Sequence, residues 1–260
     1  MLLTINVGNS NIVIGVMDGE TPRWRWRVSS DTRTTDELGM LLLQLLSHRG
    51  LTAEDITGVC VCCVVPSLLY TVQKAIRRYL NQEALTVGSG VRTGMRLRVD
   101  NPREIGADRI VSAVAAHDRF GGPVVVVDFG TATTLDCIDA SGAYLGGVIA
   151  PGLKISADAL FERTARLPRV ELTEPGAAIG SNTVASMQSG LFWGHVGLVQ
   201  ELARRCKAEL VGPNDAAPRC VATGAMANLI APACTEVDEV DDHLTLRGLV
   251  LVYELNRRRR

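Results

Sequence analysis

An aspartate followed by a Gly-Thr turn, in the middle of the sequence, is the first feature that could carry out chemistry. Four valines from Val124 predict a strand buried on both faces, and Asp128, Gly130 and Thr131 follow where that strand ends. A tight turn of this kind presents N–H groups and hydroxyls to phosphate oxygens, and a carboxylate beside it can hold a cation. An ordinary β-hairpin with threonine in its turn would contain the same residues, so this segment alone leaves both interpretations open.

The N-terminus carries the same pattern. Residues 2–11 again form an apolar run, a short polar residue, a glycine and a turn rich in hydroxyl and amide groups, so that Asn6 aligns with Asp128 and Gly8 with Gly130. Two similar strand–turn–strand segments, one opening each half of the chain, indicate a duplicated domain. Two phosphate turns that face each other in a cleft between the halves would hold a triphosphate from both sides.

The helices and strands between these segments determine the predicted fold class. A capping box at Thr34 and Glu37 starts a leucine-rich amphipathic helix, and further strands and helices alternate after it. We therefore predict an α/β fold of two duplicated domains, with mixed sheets flanked by helices and a cleft between them. The predicted halves are residues 1–118 and 119–260.

Asp108 and Arg109 form a second group of residues that suits chemistry. They follow a polar stretch from Asn101 and begin an apolar helix that runs to His117, so the helix dipole favours an anion beside them. A site for an anionic group is one interpretation. The alternative is a purely structural pair, in which Asp108 is a favourable charge at the start of the helix and Arg109 is its solvated neighbour.

Composition argues against several classes of protein. The 260 residues are 47% hydrophobic and 21% charged with a formal net charge of -1, so no overall field would attract nucleic acid or an anionic membrane. No apolar run approaches the roughly 18 residues of a membrane span, and no P-loop sequence occurs. The first residues do not show the basic segment followed by an apolar one that is typical of a secretory leader. The seven cysteines lack disulfide-framework spacing, which favours a cytoplasmic protein with reduced thiols. The basic run at 257–260 is expected to be a solvated tail.

Taken together, these segments resemble the type III pantothenate kinases, a family of the actin-like ATPase and sugar-kinase superfamily. The resemblance extends over essentially the whole length. It rests on residues 7–11, 101–109, 128–133, 180–183 and 222–224. The Gly-Ala-Asp-Arg sequence at 106–109, placed between the two phosphate turns, is the most specific of these segments.

The resemblance implies a duplicated ribonuclease-H-like fold and an ATP-dependent kinase. The enzyme would phosphorylate the terminal hydroxyl of pantothenate to give 4'-phosphopantothenate, which is the first step of coenzyme A biosynthesis. Asp108 would be the general base, and Arg109 would neutralise the pantothenate carboxylate or the developing charge on the phosphate. Members of the family are homodimers with the pantothenate site at the subunit contact, and neither nucleic acid nor a membrane is expected as a partner.

The resemblance also implies a set of binding residues. Those for pantothenate are Val99, Gly106, Ala107, Asp108, Arg109 and Thr183. Those for ATP are Asn6, Val7, Gly8, Asn9, Ser10, Asn11, Ile12, Val13 and Thr131. Asp128 would hold a monovalent cation, K+ or NH4+, and Mg2+ would arrive with ATP.

The chain departs from the family pattern at some of these positions. Asn6 stands where the family usually has aspartate, Ser10 where it has threonine, and Val99 where tyrosine is frequent. An amide oxygen is a poorer ligand than a carboxylate for a hard dication such as Mg2+. Two alternatives to a pantothenate kinase therefore stay open: a catalytically impaired ATP-binding regulator of the same fold, and a kinase for another small hydroxy acid.

Overall fold

The computed structural model describes residues 1–212 and 216–257. The chain groups into two compact units, and each unit is assembled from more than one segment of the sequence. Unit 1 consists of Met1–Met95, Asn101–Ala115 and His243–Arg260. Unit 2 consists of Arg96–Asp100 and Ala116–Asp242. Positions 258–260 of the predicted solvated tail lie outside the described residues.

Strands and helices alternate along the chain, as the sequence pattern predicts. The strands are β1 (Leu2–Val7), β2 (Asn11–Asp18), β3 (Thr21–Ser29), β4 (Gly58–Cys63), β5 (Ala84–Thr86), β6 (Arg96–Leu97), β7 (Val124–Phe129), β8 (Ala132–Ile138), β9 (Ala143–Pro151), β10 (Arg219–Gly224) and β11 (Glu239–Val240). The helices are α1 (Thr35–Ser47), α2 (Pro66–Leu80), α3 (Ala107–Phe120), α4 (Leu153–Glu162), α5 (Thr183–Leu210), α6 (Ala227–Ile230) and α7 (Leu244–Arg257).

Unit 1 is a mixed sheet covered by helices on both faces. Its strand order among the described residues is β3-β2-β1-β4-β5, with β1 antiparallel to β2 and parallel to β4. Leu3 and Ile5 on one face lie in a single core with the apolar faces of α1 and α2. Cys60 on the other face lies in a second core with Val111 of α3 and Leu249 of α7. Alternate residues of each strand therefore serve different cores.

The predicted capping box starts α1. Thr34 Oγ1 accepts a hydrogen bond from the Glu37 N–H at 3.2 Å, and Glu37 Oε2 accepts one from the Thr34 N–H at 2.7 Å. These two bonds satisfy N–H groups that have no partner within the helix, which is why the helix begins at Thr35.

Unit 2 contains the second mixed sheet. Its strand order, within the part of the chain that the structure describes, is β11-β10-β7-β8-β9-β6. The valines of β7 have no exposed surface, which confirms the predicted strand buried on both faces. Val125 and Val127 lie in one core with Phe192 and Val199 of α5. The strand that leads to Asp128 is thus among the most deeply buried segments of the unit.

The two sheets share a topology, which agrees with the predicted duplication. The order β3-β2-β1-β4 of unit 1 corresponds to β9-β8-β7-β10 of unit 2, with antiparallel pairs followed by one parallel pair. Asn6 and Asp128 occupy corresponding positions, one residue before the end of β1 and of β7. The turn in unit 1 is one residue longer than the turn in unit 2. Residues 8–11 lie between the last paired residues of β1 and β2, whereas residues 130–132 lie between those of β7 and β8.

The α/β fold with mixed sheets flanked by helices is therefore confirmed. The division of the chain into halves at residue 118 stays a proposal. Contacts between Cα atoms place α7, which belongs to the predicted second half, in unit 1. There Gly248 of α7 packs directly on the backbone of Val111. Within residues 1–212 and 216–257, no helix combines the length and the apolar character that crossing a membrane requires.

Candidate active site

The first candidate phosphate turn links β1 to β2. Gly8 donates its N–H to the Asn11 carbonyl at 3.0 Å, and Ser30 Oγ donates to the Gly8 carbonyl at 2.6 Å. Asn9 and Ser10 are exposed at the tip of the turn. The base of the turn is thus held by hydrogen bonds, whereas its tip is open to a ligand.

The other predicted ATP-binding residues of this segment flank the turn. Val7 and Ile12 are buried in the core of unit 1, so only their backbone groups could contact a ligand. Asn11 and Val13 are half-buried in β2. The predicted strand–turn–strand geometry is confirmed, and the contact of these residues with ATP stays a prediction.

Asn6 is held by a residue that the sequence did not indicate. Its Oδ1 atom accepts a hydrogen bond from Cys62 Sγ at 3.2 Å, because Asn6 and Cys62 are register partners on the parallel strands β1 and β4. Burial and, to a smaller extent, the charge of Asp108 raise the pKa of the Cys62 thiol well above its ordinary value. The thiol therefore stays protonated and acts as a donor.

Asp108 lies in the first turn of α3, as predicted. Its Oδ1 atom accepts a hydrogen bond from the Arg109 N–H at 2.8 Å, and the Gly106 carbonyl accepts bonds from the N–H groups of Arg109 and Ile110. Burial raises the pKa of Asp108, and the hydrogen bond from Arg109 partly offsets that rise. Asp108 is consequently a half-buried carboxylate with a stronger affinity for a proton than an exposed aspartate.

Gly106 and Ala107 position this carboxylate. A Cβ atom on residue 106 would lie 2.5 Å from Asp108 Oδ1, so only glycine leaves room for the observed side-chain position. Ala107 is the first residue of α3 and is half-buried. Glycine at 106 is therefore needed for the placement of Asp108 and not for a special backbone angle.

The second candidate phosphate turn links β7 to β8. Gly130 donates its N–H to the Ala132 carbonyl at 3.1 Å, and Thr131 is half-buried at the tip. Phe129 and Thr133 are the last pair of residues that face each other across the hairpin before this turn. The antiparallel pairing of β7 and β8 around this short turn confirms the predicted strand–turn–strand pattern in the middle of the chain.

The neighbouring strands β10 and β8 restrict the position of the Asp128 carboxylate. Gly224 of the neighbouring parallel strand has a φ of +100° and packs so closely on Asp128 Oδ1 that a side chain at 224 would displace the carboxylate. Thr134 lies directly opposite Asp128 on β8, and its buried Oγ1 atom has no hydrogen-bond partner among the described residues. A carboxylate and an unsatisfied hydroxyl are oxygen donors that suit a hard cation.

Thr183 and Val99 lie in unit 2. Asn182 caps α5 by accepting a hydrogen bond from the Ala185 N–H at 3.0 Å. Thr183 is the first residue of the helix, and its side chain is exposed. Val99 is half-buried and lies within van der Waals distance of where a Cβ atom on Gly146 would be.

The predicted residues are divided between the two units. Unit 1 holds the first turn with Asn6, and the segment 106–109 with Asp108. Unit 2 holds Asp128 and Thr131 at one turn, together with Thr183 and Val99. In the described ranges, no three His, Cys, Asp or Glu side chains form a cluster that could hold a metal ion.

Comparison with known proteins identifies the family. A sequence model of the type III pantothenate kinases matches residues 2–205. The type III pantothenate kinase of Moorella thermoacetica is 50% identical over 257 residues, which is 98% of this chain and 100% of that protein. The type III pantothenate kinase of Geobacter sulfurreducens is 49% identical over 258 residues, which is 99% of this chain and 100% of that protein.

Solved structures with low sequence identity share the fold. A conserved protein from Campylobacter jejuni, named for the Baf family of transcriptional activators, matches with a TM-score of 0.59 and 18% identity over 98% of this chain and 99% of that one. The activator of 2-hydroxyisocaproyl-CoA dehydratase from Clostridium difficile matches with a TM-score of 0.53 and 15% identity over 99% of this chain and 95% of that one. Because the family model covers most of the sequence and relatives near 50% identity align over their whole length, the chain belongs to the type III pantothenate kinase family.

Proposed function

We propose that this chain transfers the γ-phosphoryl group of ATP to the terminal hydroxyl of pantothenate and forms 4'-phosphopantothenate for coenzyme A biosynthesis. The single observation that carries this proposal is the placement of Asp108 at the start of α3, in a chain about half identical to pantothenate kinases. Its carboxylate is half-buried and is fixed by the Arg109 N–H and by the absence of a side chain at Gly106.

Asp108 would act as the general base. Burial raises its pKa, so the carboxylate accepts the proton of the attacking hydroxyl more readily than an exposed aspartate does. The Arg109 N–H occupies Oδ1, and Oδ2 is the oxygen that we expect to accept that proton. The Arg109 side chain would neutralise the pantothenate carboxylate or the charge that develops on the phosphate. Gly106, Ala107, Val99 and Thr183 would complete the substrate site.

The two turns would bind the phosphates of ATP. Their backbone N–H groups and the Ser10 and Thr131 hydroxyls are donors of the kind that phosphate oxygens accept. The activator from Clostridium difficile was solved with bound ADPNP, which supports nucleotide binding by this fold. Mg2+ would enter as part of the nucleotide substrate, and Asn6, in β1 just before the first turn, would orient it.

Asp128 would hold K+ or NH4+. The unsatisfied Thr134 hydroxyl opposite Asp128 supports this assignment, since a buried hydroxyl without a partner is unfavourable unless a ligand completes it. The cation would place positive charge beside the phosphates at the second turn. Thr134 is therefore added to the predicted cation site as a residue that sequence did not indicate.

A homodimer formed through α5 is the assembly that we propose. A Cβ atom at Gly190, Gly194 or Gly197 would meet no described atom within 4 Å other than the chain neighbours and the nearby backbone of α5 itself, and Trp193 on the same helix is 42% exposed. This face could accept the same face of a second copy. The seven free cysteines agree with a cytoplasmic location.

The proposed function is tested by an ADP-release assay with ATP, Mg2+ and K+, in which pantothenate is compared with a panel of small hydroxy acids. Mass spectrometry of the product identifies which acid is phosphorylated. We expect pantothenate to be the preferred acceptor. Turnover of a different acid would assign another substrate, and ATP binding without turnover of any acid would favour the impaired regulator that Asn6 suggests.

A further inference from the structure

His195 is a buried histidine with no part in the chemistry proposed above. It belongs to α5, it is 5% exposed, and it lies among the apolar residues of unit 2. Burial lowers its pKa, so the ring is neutral at physiological pH. A neutral imidazole still brings polar nitrogens into an apolar core, and this is unfavourable unless they form hydrogen bonds.

The ring contacts both strands at the base of the second phosphate turn. His195 Nε2 lies 2.9 Å from Thr133 Oγ1, a hydroxyl on a residue with no exposed surface. The His195 and Phe129 ring centres are 6.0 Å apart, with the rings tilted at 50°. Phe129 and Thr133 face each other across the hairpin and directly precede and follow the turn that contains Gly130 and Thr131.

A restraint on this pair restrains the turn itself. Residues 130–132 alone connect Phe129 to Thr133, so the spacing and twist of the pair limit the path that the backbone, with the Thr131 N–H, can take through the turn. Threonine is β-branched, and a hydrogen bond to its hydroxyl therefore restricts its side-chain torsion and, with it, the local backbone. The helix α5 thereby contacts, through His195, both residues that flank the turn.

We propose that His195 is a positioning residue for phosphate binding: through Thr133 and Phe129 it holds the second phosphate turn in the conformation that binds ATP. This inference rests on the proposed function, because it requires Thr131 to contact the phosphates. His195 itself touches no substrate. An apolar residue of similar size would fill the same volume in the core but would leave the Thr133 hydroxyl without its partner.

Thr133→Val is the sharpest test, because valine keeps the branched shape and removes only the hydroxyl. Calorimetric titration gives the Kd for Mg-ATP, steady-state kinetics give kcat and the KM values, and thermal denaturation gives Tm. We expect the Kd and the KM for ATP to rise about 2- to 12-fold, the factor that corresponds to one ordinary hydrogen bond, with the KM for pantothenate unchanged. His195→Phe should have the same effect, and His195→Gln, which retains a polar group, should restore part of the affinity.

Ser189→Ala is the matched control. Ser189 is also buried on α5, and its Oγ donates a hydrogen bond at 2.5 Å to the carbonyl of Ala178, a residue outside the turn and its two flanking strands. This variant should lower Tm without changing the Kd for ATP. If Thr133→Val and His195→Phe behave like Ser189→Ala, the pair has a structural role only and the proposal is wrong.

The test also separates this proposal from the proposed function. A wild-type protein that binds ATP but does not phosphorylate pantothenate would contradict the function, while the Kd values of the variants would still decide the role of His195. If His195→Phe fails to fold, Thr133→Val decides alone. A wild-type protein that does not bind ATP would overturn both.

Discussion

Cys62 donates a hydrogen bond from its thiol to Asn6 Oδ1 at 3.2 Å, between the parallel strands β4 and β1. The thiol has no exposed surface, and burial together with the charge of Asp108 keeps its pKa high. One lone pair of the Asn6 amide oxygen is therefore occupied from within the sheet. Asn6, close before the first phosphate turn, is thus a neutral group held in one orientation. The corresponding position in unit 2 is Asp128, which has a carboxylate instead.

Asn6→Asp should restore a charged oxygen at this position. The Cys62 thiol can still donate to it, and the second oxygen becomes available to the hydrated Mg2+ of ATP. We expect tighter Mg-ATP binding and faster turnover, by about one or two kcal/mol, the scale of a charge-assisted contact. The initial rate as a function of Mg2+ concentration measures this change.

Asn6→Ala is the control for that experiment. It should lower activity below that of the unmodified protein if the amide is a working contact. Three coincident Mg2+ curves, for alanine, asparagine and aspartate, would show that residue 6 is not part of the metal site.

Asp108→Asn should abolish turnover while ATP still binds. The amide keeps the shape of the side chain but cannot accept the hydroxyl proton, and loss of general-base catalysis typically costs about 10²–10⁴-fold. Single-turnover rates and ATP titration measure the two effects separately. Turnover equal to that of the unmodified protein would return Asp108 to a structural role at the start of α3.

The same variant should be more stable at neutral pH. Because burial raises the pKa of Asp108 in the folded protein, the folded state binds this proton more tightly than the unfolded state. The contribution of Asp108 to the stability of the folded protein therefore falls as the pH rises from the pKa that its carboxyl has in the unfolded chain through the higher pKa that it has in the folded protein. The substituted amide carries no charge, so we expect the Tm advantage of Asp108→Asn to be largest near pH 7 and to shrink towards pH 4, where the wild-type carboxyl is increasingly protonated. An equal advantage at both values would contradict this linkage.

Gly106→Ala should impair catalysis without unfolding the protein. The new Cβ would lie 2.5 Å from Asp108 Oδ1, and the flexible carboxylate would move more easily than the backbone. Misplacement of a reacting group by about 1 Å can cost about 10²-fold, so kcat should fall strongly while Tm changes little. Gly88→Ala, a position with open space in the same unit, is the control and should retain activity.

Activity should depend on K+ or NH4+, with Na+ a poor substitute. The carboxylate of Asp128 and the unsatisfied hydroxyl of Thr134 carry this expectation. Asp128→Asn should abolish the activation. Thr134→Val should raise the K+ concentration for half-maximal rate without lowering Tm, because it removes a buried hydroxyl that has no partner among the described residues. Equal rates in Na+ and K+ buffers would count against the assignment.

Gly194→Glu should separate the proposed homodimer. A Cβ at 194 meets no described atom within 4 Å, so the substitution leaves the chain itself undisturbed while it places a charge on the proposed contact face. Sedimentation velocity should show that this variant is a monomer. The kinase assay should show that it phosphorylates pantothenate more slowly. Ala208→Glu, at an exposed position on the same helix, should remain dimeric. A monomeric unmodified protein would contradict the proposed assembly directly.

Local features of the structure followed from the sequence. The run of valines that ends at Asp128, the glycine turns after β1 and β7 and the capping box at Thr34 were predictable, because each depends on neighbouring residues only. The apolar run after Asp108 also predicted the helix that begins beside it, where the structure has α3.

Features that depend on pairing between distant segments were not predictable. Nothing in the sequence indicates that Cys62 is the register partner of Asn6, because parallel strands pair across long connections. His195 lies in a glycine-containing helix whose buried face becomes known only after α5 is packed on the sheet. Asn182 could not be singled out from the sequence as the cap of α5, since Ser181 and Thr183 beside it offer similar side-chain oxygens.

The membership of α7 in unit 1 determines the order in which the protein can fold during synthesis. Leu246 packs at Gly15 and Gly248 at Val111, so the first strands are covered by the last helix. All segments of unit 2 are synthesised before this helix. Unit 2 can therefore complete its core first, which reverses the usual N-terminal order. A chain that stops before His243 would contain every segment of unit 2 but would lack the helix that packs beside α3 on one face of the unit 1 sheet.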